Sequence, residues 1–219
     1  MSIQRVFTAV LLSALAVLAG CATSRSELQL STPPAASVSP PAPDAPIAVI
    51  RSVKDERQFE KAPSDPSIPS LGFEGADAAP AHIKLRAIGR KRNTYGMALG
   101  DVLLQDGQTV ELVVRETLAS ALREKGYNVQ AAAGTTPAKL TLDVQIKKFW
   151  AWIQPGFWAI TVKTNVALEM NSPPAAPITV AIDGEDPRQV VTDSAWIEAV
   201  EKTLKSLRAE LIQKLPPAR

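Results

Sequence analysis

The sequence predicts an α+β fold: an antiparallel sheet with a long β-hairpin and two main helices packed on one face. Three observations carry that prediction. Leu140, Leu142, Val144 and Ile146 alternate with Thr141, Asp143, Gln145 and Lys147, and after a Pro155-Gly156 turn the alternation resumes through Trp158, Ile160, Val162, Thr164, Val166, Leu168 and Met170. Val110, Val113, Val114, Thr117, Leu118, Ala121 and Leu122 recur at helical spacing, with Glu111 and Arg115 four apart and Gly126 placed for a left-handed cap. A second helical stripe, Trp196, Val200, Leu204, Leu207, Leu211 and Leu215, is flanked by the spaced pairs Glu198 and Lys202, Glu201 and Lys205, Glu210 and Lys214.

Taken in chain order, the first element is not part of the fold. Arg5 precedes an uncharged run over residues 6–19 that ends in small residues, which is the pattern of a secretory signal occupying residues 1–20. The run is shorter than the roughly 20 apolar residues that a bilayer-spanning helix needs. Leu18-Ala19-Gly20-Cys21 resembles the lipobox of bacterial lipoproteins, in which the cysteine becomes the first mature residue and is thioether-linked to diacylglycerol. Cysteine counting points the same way, because an exported chain with one Cys must pair it, leave it reactive or modify it. Ala22, rather than Asp, implies by resemblance to sorted lipoproteins an outer-membrane location facing the periplasm. Residues 21–46 carry Pro33, Pro34, Pro40, Pro41, Pro43 and Pro46 among Ala and Ser, and are expected to form a semi-rigid tether. Residues 47–219 are expected to form a single periplasmic domain.

Within that domain, residues 47–53 predict a strand and Lys54 to Arg57 a charged segment. A long loop follows, punctuated by Pro63, Pro66, Pro69 and Pro80, in which Phe59, Ile68, Leu71 and Phe73 either pack down or await a partner. Ile83, Leu85 and Ala87 alternating with Lys84 and Arg86 predict a half-exposed strand, and Gly89, Gly96, Gly100 and Gly107 a looped stretch. Val129 marks a short strand, and Ile178, Val180 and Ile182 a further one after a loop containing Pro173, Pro174 and Pro177.

Composition excludes several functions. The 24 Lys and Arg nearly balance the 22 Asp and Glu, so no nucleic-acid binding driven by bulk charge is expected. One His and one Cys remove most metal sites and nucleophile–base devices; His82 is the only imidazole, and Cys21 stands at the anchor. No cofactor is implied, since the glycines match neither phosphate-binding pattern. Asp183, Glu185 and Asp186 have the composition of a solvated turn after a strand. The expectation is a protein that is not an enzyme.

Two features stand above this background. Arg90, Lys91 and Arg92, next to Tyr95, form a basic loop that could meet phosphate headgroups or an acidic partner, or could serve only solubility. Phe149, Trp150, Trp152, Phe157 and Trp158 flank the Gln154-Pro155-Gly156 turn. Strand parity places the three Trp on the core side and the two Phe opposite. If the hairpin tip projects, it is a docking surface for a protein or a membrane; if not, the long helix covers the Trp face.

The lipobox, the strand with Asp55-Glu56-Arg57, the glycine stretch running into Asp101-Val102-Leu103-Leu104, the helix closing at Gly126-Tyr127 and the final helix together resemble the YajG-type family of bacterial lipoproteins. The resemblance implies a lipid-anchored envelope protein and carries over no catalytic residue. The expected role is a non-enzymatic interaction or accessory module, attached to the membrane and contacting an envelope protein. The alternative is an auxiliary lipoprotein that binds a lipid or other hydrophobic ligand between sheet and helices for envelope transport.

Overall fold

The computed structural model describes residues 25–31, 42, 44–72, 75, 77–93, 95–131 and 136–218. The signal segment, Cys21, much of the expected tether and Phe73 lie outside the described residues. The elements are β1 (Ser26–Leu28), β2 (Ile47–Asp55), α1 (Ala81–Arg86), β3 (Ala87–Arg92), β4 (Ala98–Leu104), α2 (Val110–Glu124), β5 (Asn128–Gln130), β6 (Leu140–Pro155), β7 (Ile160–Asn171), β8 (Ile178–Arg188) and α3 (Asp193–Lys214). The α+β class is as expected, with eight strands in one open sheet and three helices.

Strand β6 organises the sheet. Buried and half-exposed positions alternate along its first half, and the edge facing β7 is paired from Asp143 to Pro155 in the predicted antiparallel hairpin, which β8 extends. The other edge forks. Its first half, Leu140 to Ile146, pairs in parallel with β2, which pairs in parallel with β5. Further along, Ala151 pairs in parallel with Gly89 of β3; β3 pairs antiparallel with β4, and β4 in parallel with β1. The sheet is therefore mixed rather than antiparallel throughout, because the segments between β2 and β3 and between β5 and β6 return the chain to the same end before it re-enters the sheet.

Arg57 fills the fork. Its side chain is fully buried and holds Asp55 through two bonds, Nε to Oδ1 at 2.8 Å and Nη2 to Oδ2 at 2.7 Å. It also donates to the carbonyls of Ala87 (2.6 Å), Phe149 (2.9 Å) and Lys84 (2.9 Å). These include carbonyls of β3 and β6 themselves. The planar guanidinium, with its fixed set of donors, suits a junction that a point-charge ammonium would leave part-satisfied.

Both predicted helices form and lie against one face of the sheet, within one buried cluster that includes Leu142, Ile146, Phe149, Val166, Leu168, Val114, Leu118, Trp196 and Leu204. Helix α2 starts where the Thr109 hydroxyl accepts from Leu112 N (3.2 Å) and ends before Gly126 at φ +91°. The charges expected to pair along the helices mostly do something else. Glu111 accepts from Asp55 N and Arg115 donates to the Ile50 carbonyl, tying α2 to β2. Glu198 pairs with Arg188 and Lys202 lies 3.9 Å from Asp186, tying α3 to β8, and Glu201 accepts from Ser31 N. Only Glu210 and Lys214 pair along the helix as expected, at 3.3 Å.

Four stretches differ from the sequence expectation. Residues 26–28 of the expected tether form β1, and Leu28 and Leu30 enter the core. Residues 81–86 are a helical turn rather than a strand: Ile83 N bonds the Pro80 carbonyl, Ile83 and Arg86 turn inward three apart, and Arg86 bonds the Leu104 carbonyl and Asp106. Gly89, Gly96 and Gly100 lie in the β3–β4 hairpin, and only Gly107 stands in a connecting turn, before α2. Strand β8 continues through Asp183, Glu185 and Asp186, which pair across to Asn165, Lys163 and Val162 of β7 instead of turning.

Candidate functional site

A bulge decides where the aromatic residues go. Between Ile146 and Lys148 the β6–β7 register shifts by one residue, so parity inverts beyond that point. Phe149, expected opposite the core, is 1% exposed and faces the helices; Trp150, expected among the core residues beneath the helix, is 3% exposed but lies on the other face. There Trp150 joins Leu71, Ile83, Ala87 and Leu103 in a second buried cluster, with Trp152 and Phe59 packed against it. Trp150 Nε1 donates to the Pro66 carbonyl at 3.1 Å, its ring meets Phe59 edge-on at 6.1 Å, and the Arg57 guanidinium lies 5.2 Å over Phe59. The proline loop is thus packed down by an aromatic stack. Phe149 and Trp150 belong to the interior, and Trp152 is half-buried against the second cluster, so none of the three is displayed at the tip.

Phe157 and Trp158 are placed differently. Gly156 N bonds the Ala159 carbonyl (2.9 Å) and closes the turn, leaving Phe157 89% and Trp158 84% exposed. Their rings touch edge to face at 4.7 Å between centroids. From Ile153 to Ile160 the chain carries no charge. Two large aromatic side chains thus cover each other in part and otherwise meet water.

The basic run lies in strand β3, not in a loop. Arg90 is buried: it donates to the Gly72 carbonyl, and its Nε lies 3.8 Å from Asp101 Oδ1 with no hydrogen-bond partner among the described residues. Burial lowers the Arg90 pKa from its ordinary value, while Asp101 opposes the shift. Lys91 donates to the Ser26 hydroxyl (2.5 Å) and lies 3.7 Å from Asp193, and Arg92 donates to the Pro63 carbonyl (2.8 Å). These contacts secure β1, α3 and the proline loop. On the outer side, a cavity of about 460 Å³ is bounded by Lys61, Arg90, Arg92, Tyr95 and Met97. A second, of about 360 Å³, lies between Arg25, Pro80, Ile83 and Asp101.

Among the described residues, no group of three or more His, Cys, Asp or Glu is placed to hold a metal ion, and no helix is long and apolar enough to cross a membrane. His82 is exposed on α1. Asp101 is buried and held by Arg25 (3.3 Å) and Gly72 N (3.0 Å). Sequence reasoning missed Arg57, whose partners lie up to 92 positions away, and gave no role to Met97 or Val190, which are exposed. Nothing local marks these three; only the pairing of strands distant in sequence brings them into view.

No family model matches the chain, and no curated protein matches it. Its fold is similar to that of an uncharacterized protein (11% identity, 89% of this chain and 99% of that one, TM-score 0.47). It is also similar to a Xanthomonas campestris protein of the DUF330 family (13% identity, 86% and 92%, TM-score 0.40). A third likeness is to a Helicobacter pylori protein described as a neuraminyllactose-binding hemagglutinin homolog (13% identity, 79% and 87%, TM-score 0.36). Likenesses at this level assign neither a family nor a role, which must be argued from the chain itself.

Proposed function

We propose that the protein is a lipid-anchored lipoprotein of the bacterial envelope, held at the outer membrane through Cys21 and acting in the periplasm as a non-enzymatic interaction or accessory module. The observation that carries this reading is the Phe157–Trp158 pair, displayed at the end of a hairpin that is otherwise well packed. A rigid scaffold that presents an uncharged aromatic tip is built to dock. The alternative, a hydrophobic ligand held between sheet and helices, has less support, because that space is occupied by one continuous cluster of buried side chains.

A photoreactive amino acid at position 158, introduced into the full chain in living cells, tests the docking role. The expected result is an adduct with an envelope component, lipid or protein, which is lost when the photoreactive group is moved to the far-end turn at Ala175. An anchored, folded protein that yields no adduct from position 158 would contradict the reading.

A further inference from the structure

We infer that the surface on which this tip docks is the bilayer itself: the end of the sheet that carries Phe157 and Trp158 is a membrane-facing end, seated among lipid headgroups. The inference rests on the reading of Cys21 as the lipid attachment site.

Strand register defines that end. Ser26 pairs with Val102, Val102 with Gly89, Gly89 with Ala151, Ala151 with Thr164 and Thr164 with Gly184, so one row crosses five strands and reaches β1. Beyond this row, in the same direction, lie Arg25, the β3–β4 turn, the β6–β7 turn and the segment joining β8 to α3. Lys91 and Asp193 both reach the Ser26 hydroxyl, confirming that the start of α3 shares this end with the start of β1.

Exposed apolar side chains are concentrated there. Of six large ones among the described residues, five occupy these segments: Tyr95, which is 94% exposed, and Met97 in the β3–β4 turn; Phe157 and Trp158 in the β6–β7 turn; and Val190 before α3. The sixth, Leu112, lies in the first turn of α2, beside Glu111, which bonds the end of β2. Scattered apolar residues on a surface need no explanation, but their collection from three turns at one end does. Tyr and Trp are the side chains that favour the boundary between headgroups and acyl chains.

The leash is short. Four residues, 22–25, lie between Cys21 and Ser26, and the five steps at up to ~3.6 Å each span at most about 18 Å, of which the headgroup layer takes roughly 5–8 Å. An acylated Cys21 therefore keeps the beginning of β1 within about 13 Å of the headgroup surface. A proline-rich tether would have allowed any orientation, whereas this attachment brings the apolar end of the sheet to the membrane. The cavity of about 460 Å³ beside Tyr95 adds electrostatic complementarity, since Lys61 and Arg92 line it with no carboxylate among its described lining residues, while the buried Arg90 is matched by Asp101. Anionic headgroups are the matching chemistry.

The test uses the lipidated full chain reconstituted into vesicles of phosphatidylethanolamine and phosphatidylglycerol. An environment-sensitive fluorophore is attached to Tyr95→Cys, Trp158→Cys or Val190→Cys, and to Ala175→Cys in the turn at the other end of β7, roughly 40 Å away at the rise of a strand. Val190→Cys leaves every aromatic residue in place. At positions 95, 158 and 190 the expected emission is blue-shifted, quenched by nitroxide-labelled lipid and about five-fold less accessible to aqueous iodide than at 175. Equal iodide quenching at all four positions, in protein whose Cys21 carries the acyl mass, overturns the inference and leaves the anchored reading standing. Protein that fails to stay on vesicles because Cys21 is unmodified overturns both.

Discussion

Arg57 determines whether one edge of β6 can serve two partners. Its guanidinium is enclosed, its counterion Asp55 is only 7% exposed at the side chain, and three main-chain carbonyls depend on it. Arg57→Met removes the cation and leaves a buried carboxylate without its partner, a change that costs about 3–5 kcal/mol. The expected outcome in urea denaturation is an unfolding midpoint lowered accordingly, and Arg57→Lys should recover only part of the loss because one ammonium cannot reach all these acceptors. A midpoint unchanged in Arg57→Met would show that the fork does not need its bridge. The bridging role was not legible in the sequence, where Arg57 is one member of the charged segment Lys54 to Arg57 and its carbonyl partners lie far along the chain. The Pro155-Gly156 turn, by contrast, was legible as a local signal, and so was Phe157 on the side away from the core; Trp158 was not, because parity placed it on the core side whereas the return strand begins only at Ile160 and leaves it exposed.

Elements with a strong period were legible and those without were not. The β6–β7 hairpin, α2 and α3 each repeat an apolar spacing over three or more turns or pleats, and each forms close to its expected bounds. Parity beyond Lys148 failed because a bulge adds one residue without leaving a compositional trace. Strands β1, β3 and β4 were missed because they are short and their partners lie far along the chain. Gly89 shows how tightly the β3–β4 limb of the fork is joined to β6: a Cβ there would lie 2.7 Å from the Ala151 carbonyl oxygen and 3.1 Å from the Trp196 ring. Gly89→Ala should therefore push β3 away from β6 and destabilise the fold by about 1–3 kcal/mol. Limited proteolysis should then cut earlier in the proline loop, which the Trp150 cluster holds against this limb. A variant with wild-type stability and the wild-type cleavage pattern would show that the β3–β6 contact is loose.

At the scale of the molecule, the two ends of the sheet differ in character. One collects exposed aromatic side chains, a cationic cavity and the start of β1, while the other carries the Pro173–Pro177 turn and the foot of α3. Composition could not reveal that polarity, because Tyr95, Trp158 and Val190 are scattered along the sequence and only the sheet gathers them. The role proposed for this end depends on what holds it in place. Mass spectrometry of the mature protein's N-terminal peptide, extracted from membranes in mild detergent, tests that most directly. The account predicts a peptide that begins at Cys21 and carries the mass of a diacylglycerol thioether. An unmodified cysteine, or a mature chain that begins at another residue, would contradict it.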